Sequence, residues 1–309
     1  MVYYNNILEI ISNTPIVKIN KLTGKNDATV LAKLEMFNPS GSIKDRIAKY
    51  MIENAEKKGK LKPDSIIVEP TTGNTGISLA MISSVKGYKM IAIMPEGMSE
   101  EKPKMIKAYG ADVIITSNNS GTDVNLAIKK AEQLSKENSK IFLPNQFSNI
   151  DNVKAHRETT GKEILNQVGK NIDVFVAGVG TGGTLVGVAQ TLKEKIPDVK
   201  IIAVEPKNSS VLSDGKSGQH KIQGIGEGFI PEVLKSGLNL INEIIIVNDN
   251  EAITMTRRLA KKEGILVGIS SGANMFAALK VAKKLGKGKT VVTIFPDRGE
   301  RYLSNDVFN

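Results

Sequence analysis

Short, unbroken runs of aliphatic residues recur along this chain, and each hands over to a turn and a helical pattern. The run at 66–69 (Ile-Ile-Val-Glu) leads into a polar turn at 71–76 and an apolar helix over 77–85. The run at 90–94 precedes Pro95 and a helix over 100–109, and the run at 113–116 precedes a helix over 123–136. The run at 174–177 enters a glycine-rich turn at 178–183 and a helix reaching Lys195; runs at 201–204 and 244–247 follow. The stretch 266–269 reads as a strand before a helix over 272–285, and 291–295 as the last strand. A strand apolar at nearly every position must be covered on both faces, so these runs predict parallel sheets sandwiched between helices. They are too many for one compact sheet. The fold class is therefore α/β, with two doubly wound domains and mostly parallel sheets.

A length of 309 residues with 40% hydrophobic content supports cores of that size. Cysteine is absent, which excludes disulfides and thiolate metal sites. With only His156 and His220 present, no metal site is expected. No apolar run approaches the length of a membrane span, and the first residues lack the shape of a signal peptide. A cytoplasmic protein with no membrane partner is expected. The formal charge is +10, but the lysines are spread over helical faces (Lys57, Lys58, Lys60; Lys129, Lys130; Lys261, Lys262) rather than gathered in one arm. Tryptophan is absent and aromatics are 5%, so base-stacking platforms are scarce and no nucleic-acid partner is expected. The positive field suits a small anionic ligand.

Two strand–loop–helix units carry chemistry in their loops. In Thr71-Thr72-Gly73-Asn74-Thr75-Gly76, hydroxyls and glycines stand at a helix start, where free N–H groups bind a carboxylate or phosphate. Gly178-Val179-Gly180-Thr181-Gly182-Gly183-Thr184 satisfies the dinucleotide fingerprint G-x-G-x-x-G, and Glu205 ends the next strand, 22 residues beyond Gly183. A nicotinamide-dependent dehydrogenase is thus one reading; Thr181 and Thr184 equally suit a single phosphate monoester. Lys44, in Pro39-Ser40-Gly41-Ser42-Ile43-Lys44-Asp45-Arg46, begins an amphipathic helix. Unpaired N–H groups and the positive end of the helix dipole disfavour an ammonium there, and burial would lower its pKa further. A neutral lysine amine forms Schiff bases with aldehydes.

These segments occur in a set order: 38–46, 70–76, 178–184, and Gly-Ile-Ser-Ser-Gly-Ala at 268–273. Together they resemble the pyridoxal-phosphate β-family, which includes cysteine synthase (O-acetylserine sulfhydrylase) and cystathionine β-synthase. The likeness runs from Asn13-Thr14-Pro15 to Gly299-Glu300-Arg301-Tyr302-Leu303-Ser304. It implies a fold type II, tryptophan synthase β-like enzyme with pyridoxal 5′-phosphate as cofactor. A smaller, mobile substrate-closing domain would span 42–150, and 1–41 with 151–309 would form the larger cofactor-phosphate domain. Lys44 would hold the cofactor as a Schiff base and move the substrate's Cα proton. Asn74 would bond the cofactor's 3′-oxygen, and Gly180, Thr181, Gly182, Gly183 and Thr184 would bind its phosphate. Thr71, Thr72, Gly73, Thr75 and Gln146 would grip the substrate carboxylate. Ser270 would face the pyridine nitrogen, leaving Ser271 as a helix-capping hydroxyl, while His156 and His220 would be structural or loop-lining. A hydroxyl opposite that nitrogen makes the ring a weaker electron sink and favours β-elimination through an α-aminoacrylate.

The implied reaction converts O-acetyl-L-serine and sulfide into L-cysteine and acetate. The implied assembly is a homodimer, with a serine acetyltransferase as a further partner. Thr72 stands where serine is usual in that pattern, Gly97 where threonine is common, and 147–152 lacks the usual Asn-Pro-Ala-Asn. Glu227, in Gly224-Ile225-Gly226-Glu227-Gly228-Phe229, replaces a small apolar residue at the substrate mouth. Its carboxylate could act as a base toward an incoming water or thiol, or repel anionic sulfide. A sister activity therefore stays open, in which cysteine is consumed, hydrogen sulfide is released, and water, cysteine or homocysteine adds. A non-catalytic binding protein on the same fold is the remaining reading. The short stretch after Tyr302 is expected to leave no room for an appended regulatory domain pair.

Overall fold

A computed structural model describes residues 3–117 and 124–308. Its strands are β1 (Ile16–Lys18), β2 (Thr29–Leu34), β3 (Ile66–Pro70), β4 (Lys89–Pro95), β5 (Asp112–Thr116), β6 (Ile141–Phe142), β7 (Val174–Gly178), β8 (Lys200–Pro206), β9 (Glu243–Val247) and β10 (Thr290–Phe295). They form two sheets, a six-stranded one ordered β1-β2-β10-β7-β8-β9 and a four-stranded one ordered β5-β4-β3-β6. Every pairing is parallel except β1 with β2.

The apolar runs are buried on both faces, and the pleat explains why. In β7, Val174 and Val176 enter one core while Phe175 and Ala177 enter the core on the opposite face. The smaller sheet repeats this, with Ile67, Ala92 and Met94 on one side and Val68 and Ile93 on the other. Leu8 and Ile11, from the N-terminal segment, pack into the first of these two smaller cores.

Three differences from the sequence expectation have physical causes. The stretch 266–269 is not a strand. Val267 makes a single antiparallel bridge to Arg298, and Ile269 already starts the helix Ile269–Leu285. A four-residue apolar run cannot by itself be told from a buried helix start. Strand β2 was not expected because Lys33 interrupts its apolar pattern; that lysine is fully buried and pairs with Glu163 at 2.7 Å. Strands β1 and β6 are too short to carry a pattern. The helix expected from Asp123 is Val124–Glu137, and Asp123 itself lies outside the described residues.

Each sheet reverses its strand order once. In the larger sheet the reversal falls between β7 and β10; in the smaller one it falls between β3 and β6. Crevices at the carboxyl ends of strands flanking such a reversal are where open α/β sheets bind ligands. The loops after β3, β6, β7 and β10 hold residues 71–75, Gln146, 178–183 and Asp297, which converge on one place.

Candidate active site

Four helices begin at this place: Lys44–Lys57, Asn74–Lys86, Gly183–Lys195 and Ile269–Leu285. None has a side-chain hydrogen bond at its N-cap. The positive ends of their dipoles therefore favour an anion there, while the first N–H groups of the Lys44–Lys57 helix are spent on Ser42 and Ile43. Gly73 and Gly182 hold φ values of +132° and +87° at two of these caps, conformations in which a Cβ is strained. A shared cavity is lined by Lys44, Asn74, Thr75, Thr184, Ser270 and Glu227, with Thr72, Gln146, Gly180, Thr181 and Gly182 completing its wall.

Lys44 stands in the first turn of its helix, with its amine directed to the cavity. Burial lowers its pKa, and the nearby Glu227 and Asp297 carboxylates oppose that shift. Behind it, Asp45 accepts hydrogen bonds from the Ser40 and Ser78 hydroxyls, and Arg46 bonds Glu35 at 2.7 Å and Glu163 at 2.5 Å. Lys44 is thus the free group on a helix start whose next two residues are locked.

The two polar loops are built for small ligands. Adding a Cβ to Gly180 would drive it into the Gly224 carbonyl, and one on Gly183 would meet the Asn152 amide. Thr181 accepts from Asn152 Nδ2 at 3.0 Å, and Thr184 Oγ1 lies 3.1 Å from His156 Nε2. His156 is buried and its pKa falls well below the usual range, chiefly through desolvation, so it holds Thr184 as a neutral ring. In the other loop, Thr71 Oγ1 accepts from the N–H groups of Gly73 at 2.9 Å and Gly76 at 3.2 Å. Thr71, Gly73 and Gly183 shape the loops from behind the wall, whereas Thr72 and Thr75 reach the cavity. Thr75 donates to Gln146 Oε1 at 2.6 Å, and Gln146 Nε2 donates to the Pro70 carbonyl at 3.0 Å. The backbone N–H groups of Asn145 and Gln146 donate to Glu69, whose pKa burial raises to about 8.

Glu227 lines the same cavity and faces both Lys44 and a second lysine, Lys102. Burial raises its carboxyl pKa, against the pull of the two cations. Ser270 is buried in the wall beside Asn274, whose Nδ2 donates to Ile294 and whose Oδ1 has no partner. Ser271, expected as a cap, has a buried Oγ with no partner in the protein, because Gly268 occupies the N-cap. His220 ties its own loop, with Nε2 3.0 Å from the Gly226 carbonyl.

Sequence reading did not single out Asp297, Arg301 or Lys102. Asp297 accepts from Asn74 Nδ2 at 2.7 Å and from the Tyr302 hydroxyl at 2.6 Å, and Arg301 donates to Asn74 Oδ1. Their position just beyond β10 was the available signal, since sites gather at carboxyl strand ends. Lys102 has no such signal. The dehydrogenase reading fails at Glu205, whose carboxylate is taken by the backbone N–H groups of Leu212 at 2.8 Å and Ser213 at 3.1 Å. It caps a short helix and is not free for a ribose. Among the described residues no group of side chains forms a metal cluster, and no helix is long and apolar enough to cross a membrane.

Residues 7–297 match the family model described as pyridoxal-phosphate dependent enzyme. The chain is 52% identical over 306 residues to a protein named cysteine synthase from Staphylococcus aureus (strain Mu50), covering 99% of this chain and 97% of that one. Among solved structures it is similar to a hydrogen sulfide-producing enzyme from Fusobacterium nucleatum, with 46% identity, a TM-score of 0.93 and 97% and 100% of the two chains covered. It is also similar to an O-acetylserine dependent cystathionine β-synthase from Helicobacter pylori, at 41% identity and a TM-score of 0.94, with 100% of both chains covered. A lysine whose amine has no hydrogen-bond partner among the described residues, set among four helix starts in a fold whose family model matches residues 7–297, leaves one conclusion: the chain belongs to the pyridoxal-phosphate dependent enzymes.

Proposed function

We propose that the protein is a cysteine synthase, joining O-acetyl-L-serine and sulfide to give L-cysteine and acetate. The observation that carries the chemistry is Lys44, a half-buried amine with no hydrogen-bond partner among the described residues, on the same wall as both anion loops. The donor set fits pyridoxal phosphate: a glycine-walled helix start with two threonine hydroxyls for a phosphate monoester, and a lysine for an aldehyde. Bound there, the cofactor supplies that aldehyde and a ring that withdraws electrons from the substrate's Cα.

The remaining work falls to the chain's own groups. Lys44 would hold the cofactor and, as a neutral amine, take the Cα proton and return it. Gly180, Thr181, Gly182, Gly183 and Thr184 would bind the phosphate, with His156 fixing the Thr184 hydroxyl. Asn74, oriented by Asp297 and Arg301, would present its amide to the 3′-oxygen. Ser270 would meet the ring nitrogen as a neutral hydrogen-bonding partner. Thr72, Thr75 and Gln146 would hold the substrate carboxylate, with Thr71 and Gly73 shaping the loop. That capture would draw a smaller domain, residues 42–150, onto a larger one of 1–41 and 151–309, shutting out water. A cytoplasmic homodimer, docking a serine acetyltransferase, completes the reading.

Purified protein should be yellow and should form cysteine from O-acetylserine and sulfide. Lys44→Ala should abolish both the visible band and turnover; full turnover in that variant rejects the reading. One observation favours a second activity, release of sulfide from cysteine: Glu227 places a half-buried carboxyl on the wall of the cavity that a water or thiol would enter. Sulfide evolution from cysteine alone, compared with cysteine synthesis in the same preparation, decides between them.

A further inference from the structure

Three titratable groups face the inner cavity, and the reaction proposed above uses only Lys44 and Glu227. The third is Lys102, 1% exposed, in the first turn of the helix Glu101–Ala108. Its aliphatic stem lies against the α-carbon of Gly73, so that any side chain at 73 would overlap its Cδ. Its ammonium donates to Gln223 Oε1 at 2.5 Å and sits 4.9 Å from the centre of the Tyr302 ring. Among the described residues no carboxylate reaches ion-pair distance of it. An ammonium has three donors, and here one is used on a neutral amide. Burial of such a cation is disfavoured by desolvation, which a methionine of similar shape would not incur. Glu227, half-buried, interacts with Lys44 and Lys102 through space and has no hydrogen bond among the described residues. Two opposite charges that face one cavity without touching leave a place between them for a ligand.

We propose that Lys102 is a specificity-determining residue for the second substrate, holding the anionic nucleophile, a hydrosulfide or thiolate, beside Glu227. This rests on the proposed β-replacement. The ammonium offsets the repulsion that the Glu227 carboxylate alone would exert on an anion. A hydrosulfide accepts from Lys102 while its S–H points to the carboxylate. The groups that set the charge of Lys102 are Asp297 and Arg301 beyond β10, Glu227 from the 224–228 loop, and Glu101 on its own helix. Burial outweighs them and brings its pKa to about 8. Hydrosulfide capture should therefore decline as pH rises through that value, as the cation is lost.

Rapid mixing of the holoenzyme separates the two halves of turnover. O-acetylserine alone changes the visible band, and sulfide added afterwards restores it. Lys102→Met should leave the first change intact and slow the sulfide-dependent return about tenfold or more, the worth of a hydrogen bond to a charged group. Its alkaline decline near pH 8 should disappear. Lys102→Arg should recover most of the rate and move the decline upward. Gln223→Ala should retain the sulfide rate, since it removes the tether and not the cation. An unchanged sulfide rate in Lys102→Met, an arginine variant as slow as the methionine one, or a Gln223→Ala protein that copies Lys102→Met overturns the inference. A wild-type band that does not respond to O-acetylserine overturns the functional reading itself, and this inference with it.

Discussion

Lys44 and Glu227 show how far chemistry at single residues depends on what surrounds them. Both are half-buried ionisable groups on the cavity wall with no side-chain hydrogen-bond partner among the described residues, and desolvation moves their pKa values in opposite directions, lysine down and glutamate up. The downward shift makes a free amine more available at Lys44, and the upward shift makes Glu227 a stronger base than a solvated glutamate. Glu227→Gln should lower the rate at which water or an alkyl thiol is used about a hundredfold, because those nucleophiles must give up a proton. Hydrosulfide, already anionic, should react as fast or faster. Product analysis with each nucleophile in turn checks the split; equal losses for all of them would show that Glu227 is not a base.

Helix starts and buried ion clusters govern the behaviour of whole elements. The start of Gly183–Lys195 requires glycines because the Gly224 carbonyl, the Leu234 side chain and the Asn152 amide pack against them and Gly182 holds a positive φ. Gly180→Ala should weaken cofactor binding at least about tenfold by pushing the 224–228 loop outward, overpacking of this kind costing about 1–3 kcal/mol. Titration of the cofactor-free protein with pyridoxal phosphate, followed by absorbance, reads this directly. The helix carrying Lys44 is held by Arg46, Glu35, Glu163 and Lys33. Burial disfavours the Glu163 carboxylate, but bonds from Arg46 and Lys33 prevail and bring its pKa to about 2 from the usual 4.5. A depressed carboxyl stabilises the fold above its free pKa and loses that contribution as pH falls toward the folded value. Glu163→Gln should therefore cost about 3 kcal/mol at pH 7. Urea midpoints of variant and wild type should draw together below pH 4.5.

At the scale of the molecule, the two sheets meet at their order reversals, and bonds cross between them beside the cavity. Lys102 and Ser99 donate to Gln223 at 2.5 and 3.2 Å, Ser304 donates to Glu101 at 2.7 Å, and Asn305 donates to Ser99 at 3.1 Å. Asn74 adds bonds to Asp297 and Arg301 across the same gap. Amide exchange within 42–150 should slow on addition of a substrate carboxylate, most around 71–76 and 99–106, while the core of β7 and β10 stays unchanged. Uniform slowing, or none, would rule out a closing smaller domain. Much of this was legible in the chain. Apolar runs predicted the doubly covered strands, because burial on both faces leaves no alternation to mistake. Glycines and hydroxyls marked the anion loops, because only small residues let backbone approach a ligand. Asp297 and Arg301 were marked only by their place just beyond a strand end, and Lys102 by nothing, since its neighbours along the chain do not distinguish a buried charge from a solvated one.

The sequence by itself determined the α/β class, the order of the motifs and the identity of Lys44 as the amine of interest. These depend on local periodicity and on residues close together in the chain. Only the tertiary structure decided which charges share the cavity. It joined Glu227 and Lys102, 125 residues apart, to Lys44 through the reversal of strand order in each sheet, and set Asp297 behind Asn74. It also committed Glu205 to a helix cap. Electrostatics acts through space in a medium of low dielectric, and the distances that set it exist only once the chain has folded.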